Sequence, residues 1–269
     1  MSEPDARSSL DLLAADPTGA RLDLLLPQGQ VVDDTAGAAA LWLSDGAADA
    51  ALLARAHGAV ERTGLWPVLL NMEGIELPPR AEQPPAPSGA EPRPGAEAVL
   101  AQWSVGLEPR RPDHDHRGCG TCLALLESRR SEPVSRITAR CDQDPARTAA
   151  AVAGYAAPFA PRLALVACAR SADVPTVLGW DGPARTGRPI AHHSAVLRRW
   201  EERYQLRVVA LHGAGLVCSV ASPPRTFQRA LGLAVDHLAF CPDLAGEFES
   251  VNTQAEELVG TALWSFHWD

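Results

Sequence analysis

Four potential metal ligands lie within nine residues near the middle of the chain. His114, His116, Cys119 and Cys122 supply two imidazoles and two thiols, a donor set that zinc takes in tetrahedral structural sites. Bringing these groups together is costly unless a cation organises them. A glycine on each side of the first thiol permits the tight turn that aims both sulfurs at one centre. The motif therefore predicts a loop folded around a metal, with zinc expected and iron as the alternative.

Four interpretations of this metal motif are open. The first is a closed structural zinc site with all four ligands. The second is a catalytic site in which two or three of them act with a remote His or Asp, and Asp113 or Asp115 orients an imidazole. The third is a thiol redox site, because Cys119-Gly-Thr-Cys122 precedes a helix-like run, although no strand-like run precedes it. The fourth is a polar loop without a ligand.

Composition excludes several functional classes. The net charge is −9, and no basic run is interleaved with aromatic residues, which argues against a nucleic-acid partner. All 24 basic side chains are arginine, so a Schiff-base lysine and a Walker-type phosphate loop are excluded. The N-terminal residues are acidic and unlike a secretory signal, and no apolar run is long enough to span a membrane. We therefore expect no membrane partner, a cytoplasmic protein, and six reduced cysteines.

The distribution of apolar runs predicts an α+β protein with a division near its middle. We expect an α/β N-terminal part over residues 1–77, a Pro-rich linker over 78–112, a metal and helical segment over 113–157, and a C-terminal domain over 158–269 with a mixed or antiparallel sheet covered by helices. Apolar spacing and turn residues place the individual elements. Expected strands are 22–26, 39–43, 65–70, 163–169, 176–180, 207–212 and 215–221; expected helices are 47–63, 145–157, 193–204, 226–240 and 252–263.

A second group of reactive side chains lies at the end of the 226–240 helix. Asp236, His237, Cys241 and Asp243 are close enough in sequence to approach one helix end, and a Cys–His–Asp arrangement suits nucleophilic chemistry. The structural alternative is that Cys241 ends the helix, the following proline stops it, and Asp243 caps the turn.

Trp180 and Arg185 are the candidates for substrate binding. Trp180 lies between Gly179 and Asp-Gly-Pro, where a loop tryptophan would line a cleft, and Arg185 would give that cleft a polar contact. The alternatives are a core tryptophan and a solvated charged surface. We expect His193, at a helix start, to be exposed, and His212, at a hairpin tip, to be a surface residue and not a ligand.

Several C-terminal motifs together resemble a known family. They are Gly179-Trp-Asp-Gly-Pro, the run 197–203 (Leu-Arg-Arg-Trp-Glu-Glu-Arg), the run 219–224 (Ser-Val-Ala-Ser-Pro-Pro), the run 236–243 (Asp-His-Leu-Ala-Phe-Cys-Pro-Asp) and the terminal Trp-Ser-Phe-His-Trp-Asp. They resemble domain of unknown function 4253, a bacterial family common in actinomycetes, over about the last 110 residues. The family pattern usually has Glu at the position of Asp236, and an Asn after the Gly-Trp loop that is missing here. These departures imply that an ancestral activity is altered or lost; the family implies no reaction.

Three functional hypotheses follow from these patterns. The first is a zinc-binding protein of unresolved activity, which would act as an accessory enzyme on a small or peptide-like substrate. The second is a binding or regulatory module with a structural zinc, and the third is a Cys-x-x-Cys thiol redox protein. The partner is then an unidentified small molecule or protein.

Overall fold

A computed structural model describes residues 6–73, 75, 77, 95–105, 143–248 and 250–269. The metal motif His114, His116, Cys119 and Cys122 lies outside these residues. None of the helices in the described part of the chain is long and apolar enough to cross a membrane.

The described residues form a mixed α+β fold, as the sequence predicts. The helices are α1 (Ala6–Ala15), α2 (Ala50–Gly58), α3 (Val60–Thr63), α4 (Ala96–Ser104), α5 (Pro145–Ala156), α6 (Val174–Val177), α7 (Ile190–Tyr204), α8 (Phe227–Phe240) and α9 (Val251–Leu258). The strands are β1 (Gly29–Asp33), β2 (Ala39–Ala47), β3 (Leu65–Leu70), β4 (Arg162–Ala167), β5 (Leu206–His212), β6 (Gly215–Val220) and β7 (Leu263–His267).

One seven-stranded sheet runs through the described structure in the order β1-β2-β4-β3-β5-β6-β7. Every pairing is antiparallel except that of β3 with β5. Because β3 pairs with both β4 and β5, the strands before residue 78 and those after residue 158 share one sheet. The predicted domain boundaries therefore fall between strands of a continuous sheet.

Helices cover both faces of the sheet and form two apolar cores. The first core packs α4, α7, α8 and α9 against one face. The second core packs α1, α2 and α5 against the other. The helix α4 lies inside the stretch 78–112 that the sequence predicts as linker, where Val99, Leu100 and Trp103 bury one side against the first core. The helices α4 and α5 thus lie on opposite faces of the sheet.

Local capping explains several correctly predicted elements. Asp49 accepts a hydrogen bond from the backbone N–H of Leu52 at 2.7 Å and starts α2. Asp144 caps α5 in the same way, accepting from the N–H of Arg147 at 2.8 Å. Gly64 ends α3 with a φ of 67°, a backbone conformation that favours glycine.

Pro67 lies in an interior strand, although its sequence predicts a strand edge or a strand start. It pairs with Leu165 of β4. The parallel pairing of β3 with β5 involves Leu69 and Leu70 and leaves Pro67 on the unpaired part of that side. The absence of a proline N–H therefore costs no hydrogen bond to β5.

Three predicted elements are wrong. Residues 22–26 do not form a strand, because a 3₁₀ turn at Ala20–Leu22 and a left-handed Asp23 precede an irregular run. Residues 176–180 contain the end of the short helix α6 and a turn. The predicted helix 252–263 stops at Leu258, and the aromatic tail forms the strand β7.

Candidate functional site

The last strand and two helices enclose a cluster of aromatic and histidine side chains. β7 directs Trp264 and Phe266 toward α7 and α8, since alternate residues of a strand share one face. We call this group the aromatic cluster; its members are His193, Trp200, His237, Phe240, Trp264, Phe266 and Trp268. The cluster contains His237 and adjoins Cys241, two of the predicted catalytic residues.

His237 is packed among three aromatic rings. Its centroid lies 4.9 Å from that of Trp200, 4.7 Å from Trp264 and 5.0 Å from Phe266. The side chain is 3% exposed, and Nε2 has no hydrogen-bond partner among the described residues. Burial lowers the pKa of His237 to about 3, because a charged ring would lose its hydration here. The imidazole is therefore neutral near pH 7 and is a poor general base.

Cys241 and Asp243 tie the end of α8 to the last residues of the chain. The buried Sγ of Cys241 donates a hydrogen bond to the carbonyl oxygen of His267 at 3.1 Å. A carboxylate oxygen of Asp243 accepts one from the backbone N–H of Asp269 at 3.2 Å. Burial raises the pKa of the Cys241 thiol to about 12. The thiolate that nucleophilic attack requires is therefore scarce near pH 7.

Asp236 lies beside the arginines of α7. It is half-buried, and burial raises its pKa to about 6, an effect opposed by Arg199 and Arg203. Glu97 of α4 pairs with Arg199, with 3.1 Å between the carboxylate and guanidinium atoms. Asp236 therefore belongs to the charged contact between α4, α7 and α8.

The four predicted catalytic residues share a helix end without forming a nucleophilic relay in the described structure. A relay needs a hydrogen bond between nucleophile and base. The thiol of Cys241 instead donates to a backbone carbonyl, and Nε2 of His237 is unpartnered among the described residues. The geometry and the pKa directions fit the structural interpretation of this segment, in which it ends a helix and anchors β7.

His193 is buried, which corrects the prediction of an exposed histidine. Its side chain is 0% exposed, and Trp103 of α4 lies over it with 4.8 Å between ring centroids. The guanidinium of Arg188 stacks on the Trp103 ring, 4.5 Å from its centroid, and donates to the carbonyl oxygen of Ala239. Burial lowers the pKa of His193 to about 4. Sequence patterns do not reveal this contact, because they predict a linker where α4 lies.

Trp180 and Arg185 do not form a common cleft. Trp180 is 1% exposed, and its indole N–H donates to the carbonyl oxygen of Gly213 at 2.7 Å. A Cβ at Gly182 would lie 2.0 Å from the Trp180 ring, so glycine is needed for this close approach. Arg185 is exposed on a 3₁₀ turn. Trp180 is therefore a core residue of the Gly-Trp-Asp-Gly turn and not the wall of an open site.

The described residues contain no group of three or more His, Cys, Asp or Glu side chains that could hold a metal ion. His212, predicted as a surface residue and not as a ligand, is half-buried and stacks on Phe159, with 5.3 Å between ring centroids. Burial lowers its pKa, and His267 contributes to the same direction.

A cavity that the sequence does not predict lies beside α5. It has a volume of about 580 Å³ and lies between α5 and the start of β7. Its lining residues are Gln143, Asp144, Arg147, Thr148, Ala151, Val152, Tyr155, Ala262 and Leu263. The sequence predicts the helix α5, but it predicts a helix where the start of β7 lies, so it indicates no groove between them.

Comparison with known proteins gives one finding. No curated protein and no solved structure matches the chain. A family model described as a domain of unknown function (DUF4253) matches residues 162–269, which extend from β4 to the end of β7 and the two residues after it. The matched part contains every member of the aromatic cluster, whereas α4 and its Trp103 lie before it. The match supports the resemblance seen in the C-terminal motifs and the assignment of residues 162–269 to the DUF4253 family.

Proposed function

We propose that this protein binds one zinc ion through His114, His116, Cys119 and Cys122 and that the metal has a structural role. The observation that carries the proposal is the presence of four suitable donors within nine residues, two of them thiols separated by two residues. Two thiolates and two neutral imidazoles form the set that a closed tetrahedral zinc site uses, so zinc is favoured over iron.

The position of the motif supports a structural metal. In the sequence it lies between α4 and α5, two helices that pack on opposite faces of the sheet. The connection between them comprises residues 105–144. A metal that closes a short loop within a long connection contributes its binding free energy to folding.

The state of the C-terminal side chains favours a binding or regulatory module over a cysteine-dependent enzyme. Burial holds the Cys241 thiol protonated and the His237 imidazole neutral. Neither group is then ready for attack or proton transfer near pH 7. An accessory activity on a small or peptide-like substrate would need groups other than this pair.

We also propose that this is a cytoplasmic bacterial protein and that the bacterium is an actinomycete. Unpaired thiols at Cys168, Cys218 and Cys241 support a reducing compartment. The exclusive use of arginine among the basic residues supports a GC-rich coding sequence.

Metal analysis of purified protein tests the zinc proposal. Protein prepared without a metal-binding tag is analysed by plasma mass spectrometry, alongside a Cys119→Ser/Cys122→Ser double variant and a Cys168→Ser control. We expect one zinc per chain in the wild type and the control, and none in the double variant. The control removes a thiol outside the motif, so retained zinc there assigns the loss to the motif.

Two results would count against the proposal. Absence of metal from the wild type, together with a reactive low-pKa thiol at Cys119, would favour the redox interpretation. Retention of zinc by the double variant would show that the ligands lie elsewhere in the chain.

A further inference from the structure

We infer that the groove between α5 and the edge strand β7 binds an extended peptide, with β7 pairing to the peptide backbone and Arg147 pairing with the peptide's terminal carboxylate. This site is formed by described residues only and does not rest on the zinc proposal. The occupant is a segment of another protein that ends in a free carboxylate.

One side of the β7 backbone pairs with no strand in the described part of the chain. Ala262 accepts a hydrogen bond from Val220, and Trp268 donates one to Ala214, so the even-numbered residues of this stretch face β6. The odd-numbered residues then direct their N–H and C=O groups away from β6. The carbonyl of His267 confirms this direction, since it accepts from the thiol of Cys241 on the outer side.

As far as the structure describes the chain, two residues of β7 are open to a further strand. Leu263 is half-buried and Ser265 is exposed. No described residue donates to or accepts from their backbone groups outside the sheet. The N–H and C=O groups of these two residues give two hydrogen-bond donors and two acceptors, enough for about two paired residues of an added strand. An unpaired edge of this kind is the template that strand-adding peptides use.

The cavity beside this edge supplies room for side chains. Its volume of about 580 Å³ lies in the range of small-ligand and side-chain pockets. Ala151, Val152 and Leu263 give it an apolar floor, and Tyr155 forms one wall. Tyr155 is 51% exposed, so a large apolar surface is open to water at this point. An apolar peptide side chain would cover it.

Charge defines the end of the groove and the direction of the peptide. Arg147 is exposed in the first turn of α5, and no described group pairs with its guanidinium. The helix N-terminus adds positive potential there. Asp144 also lies on this rim, but its carboxylate accepts the N–H of Arg147 as the helix cap. A carboxylate at Arg147 lies beside the start of β7, so the peptide runs antiparallel to β7.

Selection from random peptides tests the site without assuming a ligand sequence. A displayed library of random heptapeptides with free C-termini is selected on the wild type and on Ser265→Pro. The Ser265→Pro change removes a backbone N–H that points away from β6. It breaks no hydrogen bond between β7 and β6, so the sheet is kept. Ser265→Ala, which keeps this N–H, is the matched control. We expect enrichment on the wild type and on the Ala variant, and none on the Pro variant.

The charge assignment is tested on one selected peptide made with a carboxylate and with an amide terminus. We expect the carboxylate form to bind at least about tenfold more tightly by fluorescence anisotropy. Arg147→Gln should remove this difference, whereas Arg229→Gln, an exposed arginine of α8 on the opposite face, should keep it. Equal affinities of the two forms for the wild type would overturn the role of Arg147.

Other results would overturn the peptide site itself. One is the failure of any sequence to enrich on the wild type over Ser265→Pro. A second is slow amide exchange at Leu263 and Ser265 in the free protein, which would show that the chain itself already fills the edge. A third is a dimer that Ser265→Pro abolishes, which would assign the edge to a second copy. If thermal unfolding shows that Ser265→Pro is not folded, Arg147→Gln replaces it in the selection.

Discussion

Replacing His237 with phenylalanine should remove part of the acid sensitivity of the fold. His237 sits among Trp200, Trp264 and Phe266, and burial lowers its pKa from 6.5 to about 3. Because the folded pKa lies below the unfolded value, the unfolded chain binds the extra proton between these two pH values. The contribution of the neutral His237 to the stability of the fold is complete above about pH 6.5. It is lost as the pH falls toward 3.

The size of this effect follows from the two pKa values. Each unit of pH below 6.5 costs about 1.4 kcal/mol per buried histidine until the folded pKa is reached. Between pH 7 and pH 5 the loss attributable to His237 is about 2 kcal/mol. Phenylalanine has no titrating nitrogen but a larger ring, so we expect the variant to be about 1–3 kcal/mol less stable than the wild type at pH 7. The variant should then lose about 2 kcal/mol less than the wild type on acidification to pH 5.

Urea unfolding at pH 7, 6 and 5, followed by tryptophan fluorescence, measures this difference. Titration of carboxylates, and release of zinc from the proposed site, would affect both proteins equally and cancel in the comparison. Leu231→Ala, a buried non-titrating change in the same helix, serves as a control and should shift stability equally at every pH. Parallel pH profiles for the wild type and His237→Phe would refute the inference of a neutral, buried imidazole.

Three further changes probe other contacts. Asp144→Ala removes the cap of α5 and should lower the free energy of unfolding by about 1 kcal/mol in urea titrations; an unchanged midpoint would contradict the capping bond. Trp103→Ala leaves a cavity over His193 and should lower the free energy of unfolding by about 3 kcal/mol in the same assay. A decrease below about 1 kcal/mol would show that α4 packs weakly against the rest of the protein. Cys241 should resist iodoacetamide in the folded protein at pH 8 and react in urea, as followed by mass spectrometry; equal rates in both states would contradict its burial.

Elements with a strong local signal can be predicted from sequence. The helix α5 has a capping aspartate followed by proline, and the β5–β6 hairpin has two apolar runs around Gly213-Ala-Gly. In these cases the local preference and the tertiary structure agree. The family domain is also recognisable, because its motifs recur from Gly179 to the aromatic tail, within the matched residues 162–269.

The elements that sequence patterns miss depend on distant contacts. Trp264, Phe266 and Trp268 alternate with the period of a strand. This segment forms a strand because α7 and α8 supply aromatic side chains that pack against these residues. The position of His193 at a helix start suggests exposure, but α4, from a segment about 90 residues earlier in the chain, buries it. Leucines at 22–26 favour a strand by composition, yet a left-handed Asp23 interrupts the run.

The candidate catalytic site illustrates the same limit. The spacing of His237 and Cys241 brings them to one helix end, as expected. Spacing does not determine that the thiol turns to the carbonyl of His267 or that the imidazole is enclosed by rings. Those features come from β7, whose position cannot be inferred from α8 alone.

Zinc K-edge X-ray absorption on the purified protein tests the central claim most directly. The proposed site predicts four-coordinate zinc with two sulfur ligands at about 2.3 Å and two nitrogen ligands at about 2.0 Å. Cys119→Ser/Cys122→Ser should abolish the sulfur shell. A spectrum from the wild type that lacks sulfur ligands, or that requires a coordinated water in place of a protein ligand, would contradict a closed structural site at His114, His116, Cys119 and Cys122.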